Sequence, residues 1–227
     1  MYRSIPNGLN HLKKGRYRIM TMESRKKLKT WKTIMFLMTF IFAAAIVNAG
    51  SINAQAKKKK VVVLYFSATG TTKGVAKRIK KNTKGQMIEI KAADPYTEAG
   101  VDWTDDKSRV TKEHESAASP MVSSVRPEIS NLNAIKKAVK KADIVYIGYP
   151  IWWGEAPHII YTLVENVSLK NKTIIPFCTS MSSGMGNSAK NLKKNAIISS
   201  KTKWKKGRNF FDIPSQKTVD KWIKTIK

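Results

Sequence analysis

Cysteine is almost absent from this sequence of 227 residues, which contains only Cys178. A single cysteine excludes an internal disulfide, so the folded chain depends on the packing of its core. Cys178 lies near the end of the apolar run at 172–179, where we expect a small buried hydrophobic side chain. A thiol catalyst would need a nearby histidine and a cationic setting.

Acidic residues are also scarce, with 15 Asp and Glu against 43 Lys and Arg, a formal net charge of +28. Residues 61–227 hold 29 of the basic and 14 of the acidic residues, which gives this part a net charge near +15. Such a charge produces a long-range field that attracts anionic partners. An anionic membrane or cell-wall surface is therefore one expected partner. The alternative is a general lysine enrichment that serves no recognition.

Aromatic residues that could stack on nucleic-acid bases are missing from the lysine runs "KKNTK", "KKAVKK" and "NLKKN". These runs are typical of solvated helix faces and turns. The stretch "KWKKGRNFF" does combine basic and aromatic residues. We interpret it as a tail that packs Trp204, Phe210 and Phe211 on the core. We therefore predict no nucleic-acid partner.

No apolar run reaches the ~20 residues that a membrane-spanning helix needs. The run "TIMFLMTFIFAAAIV" at 33–47 follows a basic segment and precedes Ala54-Gln55-Ala56, which is the pattern of a secretory signal peptide. We predict a signal peptide with a long basic n-region at 1–56, a basic linker at 57–60 and one domain at 61–227. Ala49 is an alternative cleavage point, and an uncleaved anchor is the alternative to cleavage. The protein is expected to be exported, either secreted or bound peripherally to the cell envelope.

Both common nucleotide loops, G-x-x-x-x-G-K-[ST] and G-x-G-x-x-G, are missing, and the chain has no internal repeat. Short apolar runs instead alternate with amphipathic stretches, which is typical of β-α units in a parallel sheet. Strands are predicted at 61–66, 86–91, 143–150 and 172–179, with an edge strand at 202–204. Helices are predicted at 71–81, 104–115, 131–141, 156–167, 187–194 and 217–227. The polar region 92–130 is long for a connection, so we expect it to be functional or partly mobile.

Three predicted strands end in loops of unusual composition, "SATGTT", "GYPIWWGEAP" and "TSMSSGMGNS". In an open parallel sheet, ligands bind beyond the carboxyl ends of the strands. The first loop places four hydroxyls and a turn at Gly70 before a helix, an arrangement that binds phosphate; the hydroxyls belong to Ser67, Thr69, Thr71 and Thr72. A strand-to-helix turn with ordinary Ser and Thr caps is the alternative.

Large aromatic side chains crowd the second loop, where Tyr149, Trp152 and Trp153 surround Pro150 and Gly154. Such rings are costly to expose to water, and a flat conjugated ligand would cover them. Packing inward or at a dimer contact is the alternative for one or both tryptophans. Together, the hydroxyl loop and the aromatic loop predict a ligand with a flat ring and one phosphate.

These motifs resemble those of flavodoxins. "SATGTT" matches the S/T-x-T-G-x-T phosphate loop of that family, "YPIWWG" resembles the aromatic loop on which flavodoxins stack FMN, and "CTSMSSGMG" resembles their second flavin loop. The resemblance extends from about Val61 to Lys227, where "RPEI" and "WIK" also resemble flavodoxin-like proteins of anaerobic bacteria. It implies a flavodoxin-like α/β fold, with a doubly wound five-stranded parallel sheet and helices on both faces. The basic composition, the export signal and the polar region depart from familiar flavodoxins, which are acidic and cytoplasmic.

The resemblance also implies which residues hold FMN. The residues at the phosphate would be Ser67, Thr69, Gly70, Thr71 and Thr72. Those lining the isoalloxazine ring would be Pro150, Ile151, Trp152, Trp153 and Gly154. Those near the ribityl chain and the pyrimidine edge would be Thr179, Ser180, Ser183, Gly184 and Gly186. No catalytic residue and no metal ligand is predicted.

As a function, the resemblance implies electron transfer, with a redox protein or a small electron acceptor as partner. The predicted signal peptide implies that this takes place outside the cytoplasmic membrane. One alternative is an FMN-dependent NAD(P)H:quinone-type reductase, for which the region 92–130 could supply one wall of a second site. The sequence shows no second nucleotide motif for that reaction. Another alternative is a binding protein that keeps the fold and has lost the flavin.

Other titratable residues are given ordinary structural roles. His158 opens a helix beside the aromatic loop, where a surface or cap position is expected over contact with a substrate. Four acidic residues show no metal-ligand spacing, and helical salt bridges account for them; they are Asp105, Asp106, Glu113 and Glu115.

Overall fold

The structure is a computed structural model that describes residues 58–226 and, before them, only Met22 and Thr30. The predicted signal peptide and residue 57 of the predicted linker lie outside the described residues, apart from these two positions. Within the described part of the chain, no helix is long and apolar enough to span a membrane. The fold below is that of the compact unit Lys58–Lys227.

Strands and helices alternate along this unit. The strands are β1 (Val61–Tyr65), β2 (Gln86–Glu89), β3 (Ile144–Pro150), β4 (Thr173–Thr179), β5 (Lys203–Trp204) and β6 (Arg208–Phe210). The helices are α1 (Thr71–Thr83), α2 (Arg109–Glu115), α3 (Leu132–Lys141), α4 (His158–Asn166), α5 (Ser188–Asn195) and α6 (Gln216–Thr225), with a 3-10 turn at Ala99–Val101. Every predicted strand and helix is present, with boundaries that shift by a few residues.

All strand pairs of the sheet are parallel, in the order β2-β1-β3-β4-β5. β1 pairs with β2 on one side and β3 on the other, so that Val63 lies opposite both Met87 and Tyr146. The direction of winding therefore reverses between β1 and β3, where doubly wound sheets bind their ligands. This order confirms the predicted flavodoxin-like fold.

The fifth position of the sheet is divided between two short strands. β5 pairs with the start of β4, and β6 pairs with its end. The break lies beside Pro176, which has no backbone N–H to donate. Its ring nitrogen lies on this side of β4, because Lys205 N–H bonds the carbonyl of Ile174, two residues earlier. The sequence did not predict β6, because a three-residue strand with two polar residues carries no apolar pattern.

Helices cover both faces of the sheet. Successive residues of β1 point to opposite faces, so Val62 and Leu64 join one apolar core and Val63 and Tyr65 join the other. The first core contains residues of α3, α4 and α5, and the second contains residues of α1 and α6. Both faces of β1 are buried, which explains why its sequence is continuously apolar.

Local hydrogen bonds move one predicted helix start and one predicted strand end. α2 begins at Arg109 and not near 104, because the side chain of Ser108 accepts the N–H of Thr111 as a cap. α3 follows Asn131 as predicted, but the Asn131 side chain does not cap it. That amide instead accepts from Lys91 N–H and donates to the carbonyl of Glu89. Asn131 therefore fixes the end of β2, which stops at Glu89 and not at residue 91.

Four side chains test the predicted core. Cys178 is fully buried, as predicted. In the segment "KWKKGRNFF", Phe210 is buried and Trp204 is half-buried, but Phe211 is 66% exposed, so its predicted packing on the core is wrong. Phe211 follows the last residue of β6 and points away from the sheet because the chain turns there.

Candidate functional site

The structure brings the three predicted loops to one edge of the sheet. They follow β1, β3 and β4, which are adjacent and parallel, so their carboxyl ends meet. The hydroxyls of Thr72 and Thr179 are 2.8 Å apart, which joins the first loop to the end of β4. The carbonyl of Thr179 accepts the N–H of Ile151 at 2.9 Å, which joins the second loop to the same residue.

The first loop leaves donors free at the start of α1. Ser67 Oγ accepts the N–H groups of Gly70 at 3.1 Å and Lys73 at 3.2 Å. These bonds use both acceptor positions of the hydroxyl and leave its O–H free to donate. The hydroxyls of Thr69 and Thr71 lie 3.5 Å apart at the rim. A helix N-terminus with free donors attracts an anion such as phosphate.

Gly70 occupies the N-cap position of α1 with φ 93, in the left-handed region. A Cβ there would meet no atom within 4 Å, so the backbone conformation and not crowding favours glycine. Because Gly70 has no side chain, the end of α1 stays uncapped at this residue. The loop is therefore open toward a ligand.

Thr72 has a different environment from the other hydroxyls of this loop. It is 1% exposed, and its hydroxyl is engaged by Thr179. Although Thr72 was predicted at the phosphate, its side chain instead connects the first loop to the end of β4 through Thr179. Its backbone N–H remains at the helix start, where a phosphate could accept it.

The second loop is a tight turn between Trp152 and Glu155, which exchange both backbone hydrogen bonds at 3.0 and 2.9 Å. Trp153 has φ 46 and Gly154 has φ 78, the signs of a type I′ turn. A bulky residue in this region is strained, since the first position usually holds Asn, Asp or Gly. The Trp153 ring stacks on His114 at a centroid distance of 4.4 Å and an angle of 5°.

The two tryptophans of this loop differ in exposure. Trp152 packs against the apolar core and contacts Phe66 and Tyr96 at centroid distances of 5.7 and 5.6 Å. Trp153 is 40% exposed. The predicted alternative of inward packing therefore applies to Trp152, and Trp153 leaves one ring face open to a ligand.

The third loop approaches the second closely. A Cβ on Gly186 would lie 3.0 Å from the carbonyl oxygen of Gly154, and Gly186 itself has φ 50. Ser180 is buried, and its hydroxyl accepts the N–H of Ser183 at 3.1 Å. Gly184 also has a positive φ of 64. The third loop thus brings the predicted ribityl residues beside the aromatic turn.

The region 92–130 adds a wall that the sequence did not specify in detail. A cleft of about 270 Å³ lies between this region and the aromatic turn. Its lining consists of Val101, Trp103, Val110, Ile151, Trp152 and Trp153. Trp103 is 71% exposed there. The cleft is therefore lined by apolar and aromatic side chains, which suits a flat ring.

A buried carboxylate holds this region in place. Glu113 accepts hydrogen bonds from Tyr96 Oη at 2.9 Å and from Arg109 Nε at 2.7 Å. The Arg109 guanidinium lies 3.8 Å from the centre of the Tyr96 ring. Burial and the charge of Glu113 raise the pKa of Tyr96 well above its usual range. A helical salt bridge was predicted for Glu113, but no sequence signal pointed to Tyr96.

His158 is 4% exposed, so its predicted surface position is wrong. The region 92–130 folds over it, with Ser116 Oγ 3.5 Å from Nε2 and Glu113 3.9 Å from Nδ1. Burial, followed by the charges of Arg126 and His114, lowers the pKa of His158 to about 4. His158 is therefore neutral at pH 7.

The described residues support neither a cysteine nucleophile nor a metal site. Burial raises the pKa of Cys178 to about 12, so the thiolate that a nucleophile needs is not formed at neutral pH. Among residues 58–226, no group of His, Cys, Asp and Glu side chains could hold a metal ion.

Known proteins are similar to this chain in sequence and structure. A family model described as Flavodoxin matches residues 60–226. A candidate flavoprotein from Bacteroides eggerthii DSM 20697 is 40% identical with a TM-score of 0.63, covering 74% of this chain and 98% of its own. A second candidate flavoprotein, from Bacteroides uniformis ATCC 8492, is 38% identical with a TM-score of 0.59; the match covers 74% of this chain and 99% of that protein. A flavoprotein in complex with FMN from Lactobacillus acidophilus NCFM is 21% identical with a TM-score of 0.47, covering 73% and 99%. No curated protein matches this chain.

Proposed function

This chain belongs to the flavodoxin family, and we propose that it binds FMN and transfers electrons outside the cytoplasmic membrane. The observation that carries the proposal is the meeting of three loops at the switch point of the sheet. One of them offers an open helix end, and another offers an exposed indole ring. FMN combines a phosphate with a flat ring, so its two ends match these two loops.

The donors of the first loop fit a phosphate. Ser67 keeps a free O–H, and Thr69 and Thr71 carry hydroxyls at the rim of the loop. None of the residues 67–72 is charged, so binding would depend on hydroxyls, backbone N–H groups and the positive end of α1. These residues would hold the phosphate, and Thr72 would hold the loop itself.

The aromatic turn fits the isoalloxazine ring. Trp153 would cover one face of the ring, while Pro150, Ile151 and Gly154 would surround its edge. Trp152 supports the turn from the core side through Phe66 and Tyr96. The bound flavin would carry the electrons, and the protein would contribute position, electrostatics and exclusion of water.

FMN binding is tested by titrating the purified protein with FMN and following the quenching of tryptophan fluorescence. We expect flavin to remain with the protein on gel filtration. Thr69→Val combined with Thr71→Val should weaken FMN binding about 10-fold or more, since a hydrogen bond to a charged group contributes ~1.5–3 kcal/mol. Riboflavin lacks the phosphate, so its affinity should not change.

Thr225→Val is the matched control, because Thr225 lies at the far end of α6 and donates only to the carbonyl of Trp222. It should bind FMN like the native protein. If the native protein retains no flavin and shows no quenching, it is a binding protein that has kept the fold and lost the cofactor.

A reductase is the second candidate, and the cleft between Trp103 and Trp153 favours it. A flat substrate could enter there next to the proposed ring position, with the region 92–130 as its outer wall. Stopped-flow mixing of the FMN-loaded protein with NADPH separates the two functions. We expect slow bleaching of the flavin for a carrier, whereas rapid bleaching by NADPH alone would establish the reductase.

The place of action follows from the predicted signal peptide at 1–56. We expect the chain to be cleaved near Ala56 and recovered outside the cytoplasm. Mass spectrometry of the protein from fractionated cells tests this, and an intact N-terminus in the cytoplasmic fraction would contradict it.

A further inference from the structure

The amino edge of the sheet, opposite the three loops, carries a large cleft with an apolar floor. The cleft has a volume of about 640 Å³ and includes Val61, Ile144, Thr173 and Lys203, the first residues of β1, β3, β4 and β5. Its floor contains buried side chains of the second core; they are Tyr146, Ile175 and Ile223. Its rim carries Lys58, Lys59, Lys203 and Lys205.

A second cleft of about 410 Å³ adjoins the first, since both include Lys58, Lys59, Val61 and Thr83. It adds three lysines, which are Lys60, Lys84 and Lys141. Of the described residues that line either cleft, none is Asp or Glu. We call these seven lysines and the apolar floor the amino-edge surface.

The charge of the amino-edge surface is not neutralised locally. Within residues 58–226, no ion pair involves any of its seven lysines. Two carboxylates lie nearby, but both are engaged by neutral donors. Asp143 accepts the backbone N–H of Lys60 at 2.7 Å, and Asp220 accepts from Asn82 at 2.8 Å. The side chains of the lysines are therefore available to an external anion.

Most of the acidic residues lie elsewhere in the chain. Of the 14 in residues 61–227, nine fall between Glu89 and Glu128, after the carboxyl end of β2. A general enrichment in lysine would not separate the charges in this way. The protein therefore has a positive amino edge and its acidic residues concentrated toward the loops, and a negative surface would orient it.

We propose that the amino-edge surface docks this protein on anionic phospholipid headgroups, with its candidate flavin edge pointing away from the membrane. The lysines would contact lipid phosphates, and the apolar floor would face the glycerol and upper acyl region. Lys58 also joins the domain to the preceding chain, so any membrane attachment through the apolar run at 33–47 would tether the same edge.

The orientation follows from the length of the strands. β3 has seven residues, so the two edges of the sheet are separated by ~20 Å at ~3.3 Å per residue. This distance exceeds the Debye length of ~8 Å at physiological salt. The three loops would then be open to a soluble redox partner. This part of the inference rests on the proposed flavin site, whereas the docking itself does not.

Vesicle binding tests the docking. The protein is recovered from cells that express the full chain, its N-terminus is determined, and it is sedimented with vesicles of phosphatidylcholine alone or mixed with phosphatidylglycerol. We expect binding to the mixed vesicles only. The combined change of Lys58, Lys59, Lys84 and Lys203 to Gln should lower the partition coefficient about 600-fold, since each of the four lysines near anionic lipid contributes about fivefold.

The control removes the same charge from the other side of the molecule, by changing Lys91, Lys107, Lys112 and Lys190 to Gln. These four side chains are exposed and lie outside the amino-edge surface. Their loss should have a much smaller effect, because they would lie beyond the screening distance. Equal loss in the two variants, binding to neutral vesicles, or binding to soluble polyphosphate without vesicle binding would overturn the proposal.

A fluorescent label tests the orientation. Cys178 is fully buried and should not react, so Lys84→Cys and Met181→Cys each provide one accessible thiol at opposite edges. Met181 is 93% exposed in the third loop. On mixed vesicles that contain spin-labelled lipid, the label at 84 should be quenched and the label at 181 should not. Equal quenching at both positions would overturn the orientation, and FMN titration of the same samples reports separately on the flavin site.

Discussion

Thr72 and Thr179 share a buried hydrogen bond of 2.8 Å between their hydroxyls, although 107 positions separate them in the chain. The bond connects the first turn of α1 to the last residue of β4. Because Thr179 also accepts the N–H of Ile151, the three loops at this edge are fixed to one point. A ligand that contacts all three would therefore meet a site whose parts are already in position.

Removing either hydroxyl should destabilise the protein. Thr72→Val or Thr179→Val leaves a buried partner without a hydrogen bond, which costs ~1–3 kcal/mol. The double variant should lose less than the sum of the two, because neither hydroxyl is then left unpaired. Urea unfolding of the native protein, the two single variants and the double variant measures this coupling. Thr225→Val serves as the control, and its free energy of unfolding should lie within about 0.5 kcal/mol of the native value. Strictly additive losses would show that the bond contributes nothing.

Gly70 should be required for its backbone conformation. At φ 93, Gly70→Ala is expected to cost ~1–2 kcal/mol and to weaken FMN binding, because an L-residue is strained there. Gly70→Asn should lose less stability and less FMN affinity than Gly70→Ala, since asparagine tolerates positive φ better than alanine. FMN titration and urea unfolding of the two variants test this ranking. An alanine variant that is as stable as the asparagine variant and binds FMN as tightly would contradict it.

Trp153 should matter more for the ligand than for the fold. Trp153→Asn introduces the residue that favours this turn but removes the stack on His114, so the free energy of unfolding should change by less than about 1 kcal/mol. The affinity for FMN should fall about tenfold with the loss of one stacking face. Trp153→Phe keeps a ring and should retain most of the affinity. A large loss of stability in the asparagine variant would mean that the ring supports the fold.

His158 should make the protein less stable in mild acid. Its folded pKa of about 4 lies below the ordinary value of 6.5, so the unfolded chain binds a proton first as the pH falls. The stability is complete above pH 6.5 and is lost between pH 6.5 and 4, by about 2–3 kcal/mol. Arg126 and His114 favour the neutral ring, and Glu113 faces it at 3.9 Å.

Urea unfolding between pH 7 and 4.5 measures this loss. Other groups titrate in the same range, so the informative quantity is the difference in slope between the native protein and His158→Gln. The variant should show a shallower decline. Parallel curves would mean that His158 binds its proton equally well in the folded and unfolded states.

Much of the fold was predictable because its signals are local. The continuous apolar run of β1 and the amphipathic helices identified their elements directly, and the strand order followed from the resemblance to flavodoxins. β6 was missed because Arg208, Asn209 and Phe210 form a strand only through pairing with β4. The burial of His158 was missed for a similar reason, since residues distant in sequence cover it.

The sequence by itself determined which residues lie in the three loops, since each motif follows an apolar run that forms a strand in any arrangement of the sheet. It also determined the polar, uncharged character of the first loop and the aromatic character of the second. Only the tertiary structure decided that Thr72 bonds Thr179, that Trp152 faces inward while Trp153 faces outward, and that the lysines gather at the amino edge. These relations depend on how distant strands and helices pack together, and a local pattern carries no information about side chains that meet across the sheet.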